Sequence, residues 1–123
     1  MTLTRHIETV EGERFEMAGI FPFGTRMLPR RKALGYTEVV LRKNCLLGDP
    51  GLVVRGHEFH YSQLESLSKD SKFAYDLSIG IGIKNNRDGL FVYNTLASYM
   101  HVHFAQKSVV NGFVKACVSY SRS

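Results

Sequence analysis

Four of the five histidines fall into two short groups, and these groups are the residues whose types and spacing could do chemistry. The first group is the segment 56–62, which reads GHEFHYS. The second group is the segment 97–104, which reads ASYMHVHF. Histidine titrates near neutral pH and also binds metals, so both acid–base catalysis and metal binding have to be considered.

The spacing of the second group predicts a strand with one polar face and one apolar face. In a strand, residues two apart share a face. The polar face would carry Tyr99, His101 and His103, and the apolar layer would receive Met100, Val102 and Phe104.

Three interpretations of the histidines follow from the residues alone. His101 could be a general base, with His103 as its orienting partner through the second ring nitrogen. Alternatively, His57, His60, His101 and His103 could form a metal site, since imidazole suits zinc, nickel or copper. In the third interpretation the histidines are structural and only hydrogen-bonded. The spacing of His57 and His60 is one residue shorter than the H-E-x-x-H motif, which argues against a zinc protease.

The remaining candidate motifs are weak. Cys45 and Cys117 have no C-x-x-C spacing and lie in no nucleophile elbow, so free buried thiols are expected. The segment 80–84, which reads GIGIK, lacks the spacing of a phosphate-binding Walker loop and favours a closely packed strand. The basic segment 30–32 is typical of an exposed loop.

Length and composition indicate one modest domain without a membrane span. The chain has 123 residues, of which 44% are hydrophobic and 22% charged. No run approaches the roughly 20 apolar residues of a membrane-spanning helix, and the first residues lack the apolar region of a signal peptide. The net charge of +5 is interleaved with acidic residues, and no nucleic-acid-binding motif is present. A cytoplasmic protein that binds neither nucleic acid nor membrane is therefore expected.

The hydrophobic pattern predicts a strand-rich chain with a helix at each end. Residues Met1 to Thr9 are predicted to be the end of a helix, and Val109 to Tyr120 a helix with an apolar face. A hairpin turn is predicted at Asn85 to Gly89, where Asp88-Gly89 is a strong turn signal. Strands are predicted at Phe15–Phe23, Gly35–Leu41, Leu52–Ser62, Ser78–Lys84 and Leu90–Tyr99.

Several segments together resemble the cobyrinate a,c-diamide synthase family. They are 17–22 (MAGIFP), 34–39 (LGYTEV), 55–62 (RGHEFHYS), 88–89 (DG) and 94–104 (NTLASYMHVHF). The resemblance extends over roughly residues 13–106. It implies an α/β fold, namely the C-terminal portion of a class I, flavodoxin-like glutamine amidotransferase domain.

The resemblance also implies the chemistry. In this family a cysteine thiolate attacks the side-chain amide of glutamine, and a histidine activates the thiol. The ammonia travels to a synthetase domain, where ATP and magnesium activate the a and c carboxylates of a corrin precursor. By resemblance, His101 is the activating histidine, and His103 falls where other triad amidotransferases carry a glutamate. Residues at the glutamine pocket are expected to be Glu58, His60, Tyr61 and Ser62.

One part of the family pattern is missing from the sequence. The C-G-G elbow that supplies the nucleophile is expected just before Met1, and residues 1–123 would be a single partial domain without that elbow or the synthetase domain. The chain alone is expected to be inactive, to bind no cofactor or metal itself, and to need either the missing half or a second copy to cover apolar surface. A stand-alone module that binds a ligand, metal or partner through the histidine face is the alternative.

Overall fold

Ten strands and one helix follow one another in the computed structural model, which describes residues 1–123. The chain forms two units, residues 1–34 with 59–71 and residues 35–58 with 72–123. One sheet contains β1 (His6–Glu8), β2 (Arg14–Glu16), β3 (Gly24–Met27) and β6 (Ser62–Glu65). The other contains β4 (Ala33–Leu41), β5 (Val53–His60), β7 (Phe73–Ile79), β8 (Arg87–Val92), β9 (Thr95–Ala97) and β10 (Met100–Val102), and α1 spans Lys107–Ser121.

The sheet of the first unit has the order β2-β1-β3-β6, in which only the β1–β3 pair is parallel. Its interior contains the stacked rings of Phe21 and Phe23, whose centroids are 5.7 Å apart. The predicted helix at Met1 to Thr9 is wrong, because β1 pairs with a strand on each side. The predicted strand at Phe15–Phe23 is largely wrong as well. Only the short β2 forms there, and Pro22 has no backbone N–H to donate to a ladder.

The sheet of the second unit has the order β10-β5-β4-β7-β8-β9, and its two edge strands are consecutive in sequence. Only Ser98 and Tyr99 separate β9 from β10. The edges of a flat six-stranded sheet lie roughly 24 Å apart. Three residue steps of extended chain, from Ala97 to Met100, span at most about 11 Å. The sheet must therefore curl until its two edges approach each other.

The core of the second unit is formed by side chains of this sheet, the loop residue Leu47 and Val109 of α1. Strands β4 and β5 confirm the strands predicted at Gly35–Leu41 and Leu52–Ser62, and α1 confirms the predicted helix. The apolar face of α1 is mostly exposed, however, and Val109 is its one buried residue. The core cluster comprises Val39, Leu41, Leu47, Val54, Ala74, Tyr75, Leu77, Met100 and Val109.

The region from Ser78 to Tyr99 departs most from the sequence prediction. Strand β7 ends at Ile79, so the predicted strand at Ser78–Lys84 is a loop. The hairpin turn is formed by Asn85 and Asn86, with φ of 52° and 54°, as a type I′ turn requires. Asp88 and Gly89 lie inside β8 rather than in the turn. The predicted strand at Leu90–Tyr99 is broken by a second turn after Val92.

The chain thus has the predicted strand-rich α/β fold with a single helix that follows the last strand. That helix is neither long nor apolar enough to cross a membrane.

Gly112 gives a test of how closely α1 packs against the loop that contains Leu47. A Cβ atom at this position would lie 2.4 Å from the carbonyl oxygen of Leu47. In an exposed helix, Gly→Ala stabilises by about 1 kcal/mol. Here Gly112→Ala is expected to lower the free energy of unfolding by about 1–3 kcal/mol because the helix must move away. Urea denaturation measures this. The exposed neighbour is the control, and Asn111→Ala should be neutral or slightly stabilising; a stabilised Gly112→Ala chain would contradict the packing.

Candidate active site

His101 lies in the middle of the edge strand β10, directly opposite His57 of β5. The antiparallel register pairs Met100 with Glu58, His101 with His57 and Val102 with Gly56. Met100 is buried in the core and His101 is exposed, as the predicted alternation of faces requires. The imidazole therefore stands on the outer side of a strand whose preceding residue is fixed in the interior.

Gly56 allows β10 to lie close against β5. A Cβ atom at this position would come within 2.3 Å of the His101 carbonyl oxygen and 2.9 Å of Met100 Cγ. Real Cβ atoms do not make such contacts, so any side chain here would push β10 outward. Gly56 thereby sets the separation of the two strands that carry His57 and His101.

The ring of His101 is oriented by a main-chain oxygen. Its Nδ1 lies 3.0 Å from the carbonyl oxygen of His57. A carbonyl can only accept, so Nδ1 carries the hydrogen in the neutral ring and Nε2 keeps its lone pair. Nε2 makes no hydrogen bond within the chain. This arrangement fixes the tautomer that a general base acting through Nε2 requires.

His103 does not contact the His101 ring by a hydrogen bond. It lies just beyond β10, and its Nδ1 accepts a hydrogen bond from the Ala105 N–H at 3.3 Å. The ring lines a small surface cavity with Val53, Arg55 and Gln106. The orienting bond that sequence reasoning expected from His103 is thus made by the His57 carbonyl. Phe104, predicted in the apolar layer, is half-exposed and packs edge-on against Phe113.

Tyr36 is an exposed aromatic residue beside this pair that sequence reasoning did not single out as functional. Its side chain is 85% exposed, and its ring meets the His57 imidazole edge-on with centroids 6.1 Å apart. The one sequence signal for Tyr36 is the alternation of β4: Tyr36 and Glu38 lie on the face opposite the buried Thr37 and Val39. It adds an aromatic surface that a ligand at the exposed histidines could contact.

Glu58 is buried, and its carboxylate holds the loop after β7. One oxygen accepts the Ile81 N–H at 2.6 Å and the other accepts the Gly82 N–H at 3.1 Å. Glu58 therefore does not serve as the carboxylate partner of the His101 ring. The same bonds occupy the amides of the glycine-containing loop, which makes the loop unsuitable for holding a phosphate.

The other predicted pocket residues lie in the first unit. His60 is buried and its Nδ1 is 2.9 Å from the Ser62 carbonyl oxygen. Ser62 is fully buried and is paired with Met27. Tyr61 is 38% exposed and packs edge-on against Phe59. Of the three, Tyr61 has the side chain most accessible to a ligand.

Metal binding by the histidines finds no support in the geometry. No group of three or more histidine, cysteine, aspartate or glutamate side chains is arranged to hold a metal ion. The hypothesis of a metal site built from His57, His60, His101 and His103 therefore has no structural basis.

The two thiols line the same groove, which lies away from the histidine strand pair. Cys45 and Cys117 line one open groove of about 820 Å³ between α1, the loop before β5 and the β8–β9 turn, and none of the histidines lines it. Burial raises the pKa of the Cys45 thiol above its ordinary value, which lowers its thiolate fraction. Cys117 is exposed on α1, so the prediction of a buried thiol is wrong for this residue.

Two further titratable groups are buried next to the site residues. Burial raises the pKa of Asp88 above its ordinary value, while hydrogen bonds from backbone amides and from Ser98 oppose the shift. Burial and the nearby Asp88 carboxylate raise the pKa of Tyr75 well above its ordinary value, so the phenol keeps its proton. Sequence reasoning placed Asp88 in a turn and in a segment of the family resemblance without giving it a role, and no pattern in the chain pointed to Tyr75.

Comparison with known proteins identifies what this arrangement belongs to. Residues 1–109 match the family described as the CobB/CobQ-like glutamine amidotransferase domain. The chain is 42% identical over 116 residues to a cobyrinate a,c-diamide synthase of Archaeoglobus fulgidus, which covers 94% of this chain and 25% of that protein. For the Halobacterium salinarum protein of the same name the identity is 40% over 103 residues, with 84% and 23% covered. For that of Methanosarcina barkeri it is 36% over 121 residues, with 98% and 24% covered.

The chain spans about a quarter of the length of these curated relatives. Its strand-rich α/β fold with one helix is consistent with part of a class I glutamine amidotransferase domain. The resemblance found in the sequence is thereby confirmed, and the chain belongs to the CobB/CobQ-like glutamine amidotransferase domain family.

Proposed function

We propose that this chain supplies the general base of a glutaminase site, and that His101 is that base. The observation that carries the proposal is the bond from His101 Nδ1 to the His57 carbonyl oxygen, 3.0 Å long. It leaves Nε2 as a free acceptor on an exposed strand edge. A thiol brought to that edge would meet the correct tautomer without any rearrangement of the ring.

The reaction then follows the usual course of thiol-dependent amide hydrolysis. His101 Nε2 takes the proton of the thiol, and the sulfur forms a bond to the amide carbon of glutamine. The tetrahedral oxyanion collapses, the carbon–nitrogen bond breaks, and the protonated His101 donates its proton to the leaving nitrogen, which departs as ammonia. His101 Nε2 then deprotonates a water molecule, which hydrolyses the thioester to glutamate and the free thiol.

A main-chain carbonyl is a weaker orienting partner than a carboxylate. It fixes the ring and the tautomer, but it brings no full negative charge to stabilise the imidazolium that forms. The carboxylate of Glu58 binds the Ile81 and Gly82 amides, and the His101 ring is bonded to the His57 carbonyl instead. We therefore assign orientation to the His57 carbonyl, and we leave His103 a supporting role at the adjacent surface cavity.

The nucleophilic thiol is proposed to come from polypeptide outside these 123 residues. Cys45 and Cys117 line the groove beside α1, not the β5–β10 edge. The pKa of Cys45 is raised by burial, which is the opposite of what a nucleophile needs. The relatives are about four times as long as this chain, so such a thiol has a place in a protein of their size.

The wider activity that we propose is that of the relatives. As part of a cobyrinate a,c-diamide synthase, the domain would deliver ammonia to a carbon–nitrogen ligase that amidates the a and c carboxylates of a corrin precursor in cobalamin biosynthesis. ATP and magnesium would bind that ligase part. In this chain, the loop that most resembles a phosphate site already donates its Ile81 and Gly82 amides to the Glu58 carboxylate. We propose that this activity takes place in the cytoplasm.

A larger protein is also a suitable partner for the exposed side of α1. Several apolar side chains on this helix are exposed, and a contiguous apolar patch of this kind marks an interaction surface. We propose that this patch is covered by the other parts of a protein as long as the relatives. A second copy of the chain is the competing occupant. The residues concerned are Val110, Phe113, Val114, Val118 and Tyr120.

A chimera tests the role of His101. The matching quarter of the Archaeoglobus fulgidus relative is replaced by this chain, and glutamate release from glutamine is measured. His101→Ala is expected to lower kcat about 10³-fold because the base is lost. His103→Ala, which removes no bond to the His101 ring, is expected to lower kcat about tenfold at most. Equal losses for the two variants would contradict the assignment of the base to His101 alone.

The isolated chain gives the complementary test. The purified 123-residue polypeptide is expected to release no ammonia from glutamine above the buffer rate, because a base without a thiol cannot form the thioester. The active chimera is the positive control in the same coupled assay. A rate from the isolated chain that disappears in His101→Ala would show that one of its own thiols serves as nucleophile, and the proposal would fail.

A further inference from the structure

We propose that Asp88 is a positioning residue for His101, because its buried carboxylate binds the residues immediately before the histidine and so fixes the imidazole for proton transfer. The catalytic meaning of this inference rests on the proposed function. The positioning itself does not, and it can be tested without glutamine.

The carboxylate of Asp88 collects the donors of the link between β9 and β10. Oδ2 accepts the Met100 N–H at 3.0 Å and the Ser98 hydroxyl at 3.1 Å. The Tyr99 N–H lies 3.2 Å from both oxygens. Oδ1 also accepts the N–H of Gly89 at 2.7 Å. Three consecutive residues that lead directly into His101 are therefore bound to one side chain of β8.

A second layer holds this carboxylate and its hydroxyl partner in place. Tyr75 lies directly opposite Asp88 in the β7–β8 pair and is fully buried. Its phenol donates to Ser98 Oγ at 2.6 Å. The hydroxyl of Ser98 is thus left to donate its own proton, and the charged carboxylate is the stronger of its two nearby acceptors, Asp88 and the Met100 carbonyl.

The strand that carries His101 needs this support. β10 has three residues, lies at a sheet edge and pairs with β5 alone. The chain reaches it from β9 at the other edge through Ser98 and Tyr99 only. Without an acceptor, the buried N–H of Met100 at the end of this link would be left unsatisfied, which is destabilising. Asp88 supplies that acceptor at the seam where the two edges of the curled sheet approach.

The position of Met100 determines the position of the catalytic ring. His101 follows it directly, and the bond from His101 Nδ1 to the His57 carbonyl tolerates only small shifts of the strand. A misplacement of about 1 Å in a catalytic group reduces rates about 10²-fold. Asp88 itself is fully buried and its oxygens are filled by donors, so it acts through His101 and not on substrate.

The experiment uses the ¹⁵N-labelled chain and records long-range NMR correlations of the imidazole nitrogens. The sample pH is set about one unit above the ordinary histidine pKa of about 6.5, so that the neutral ring predominates. The native chain is expected to show His101 in the Nδ1–H tautomer. Asp88→Asn keeps the side-chain shape but presents an NH₂ group to donors, so His101 should return to a mixture of tautomers. The matched control is Asp76→Asn, which removes an equal charge from an exposed ion pair with Arg42 and should leave the tautomer unchanged.

Ser98→Ala keeps the test decisive if Asp88→Asn does not fold. It removes a single bond to the carboxylate and should shift the His101 tautomer partly toward the mixture. A folded Asp88→Asn chain, or failing that a folded Ser98→Ala chain, in which His101 stays fully in the Nδ1–H tautomer overturns the inference.

The chimera separates this inference from the proposed function. Asp88→Asn in the chimera should lower kcat for glutamate release about 10²-fold with the KM for glutamine within about twofold. If the tautomer shifts and kcat does not change, the role of His101 as base fails while the positioning by Asp88 stands. If kcat falls and the tautomer is unchanged, the inference about Asp88 fails.

Discussion

The two-residue link between β9 and β10 is the constraint on which the second unit depends. It joins strands at opposite edges of a six-stranded sheet, so the sheet has to curl and its edges have to approach. A seam of this kind exposes main-chain donors where no ladder can satisfy them all. The Asp88 carboxylate occupies that position and accepts from the link residues. The location of His101, the second residue after the link, follows from the closure of the sheet.

An edge strand suits a general base because it combines exposure with a fixed backbone. Met100 anchors β10 in the core, while the next side chain faces outward. The glycine opposite, Gly56, brings β5 close enough for the His57 carbonyl to reach the ring of His101. Orientation by a carbonyl fixes the tautomer without adding a charge.

The sequence predicted those parts of this arrangement that depend on local periodicity. The exposure of His101 beside the buried Met100, the two long strands β4 and β5, and the helix α1 follow local patterns and were predicted correctly, whereas Phe104 is half-exposed and outside the apolar layer. The turn predicted at Asn85 to Gly89 was too long: Asn85 and Asn86 form it, and the register of β7 and β8 puts Asp88 opposite Tyr75 inside the sheet. The orienting group of His101 could not be predicted, since any residue type offers a main-chain carbonyl. Only the strand register selects that of His57.

Two buried carboxylates divide the support of the histidine pair between them. Glu58 follows His57 on β5 and binds the amides of Ile81 and Gly82, which fixes the strand that offers the carbonyl. Asp88 binds the residues before His101 and fixes the strand that offers the imidazole. Both carboxylates are buried and accept backbone N–H groups, and Asp88 also accepts the Ser98 hydroxyl. Each of the two strands that form the hydrogen bond between His101 and His57 is therefore held in place by a buried carboxylate.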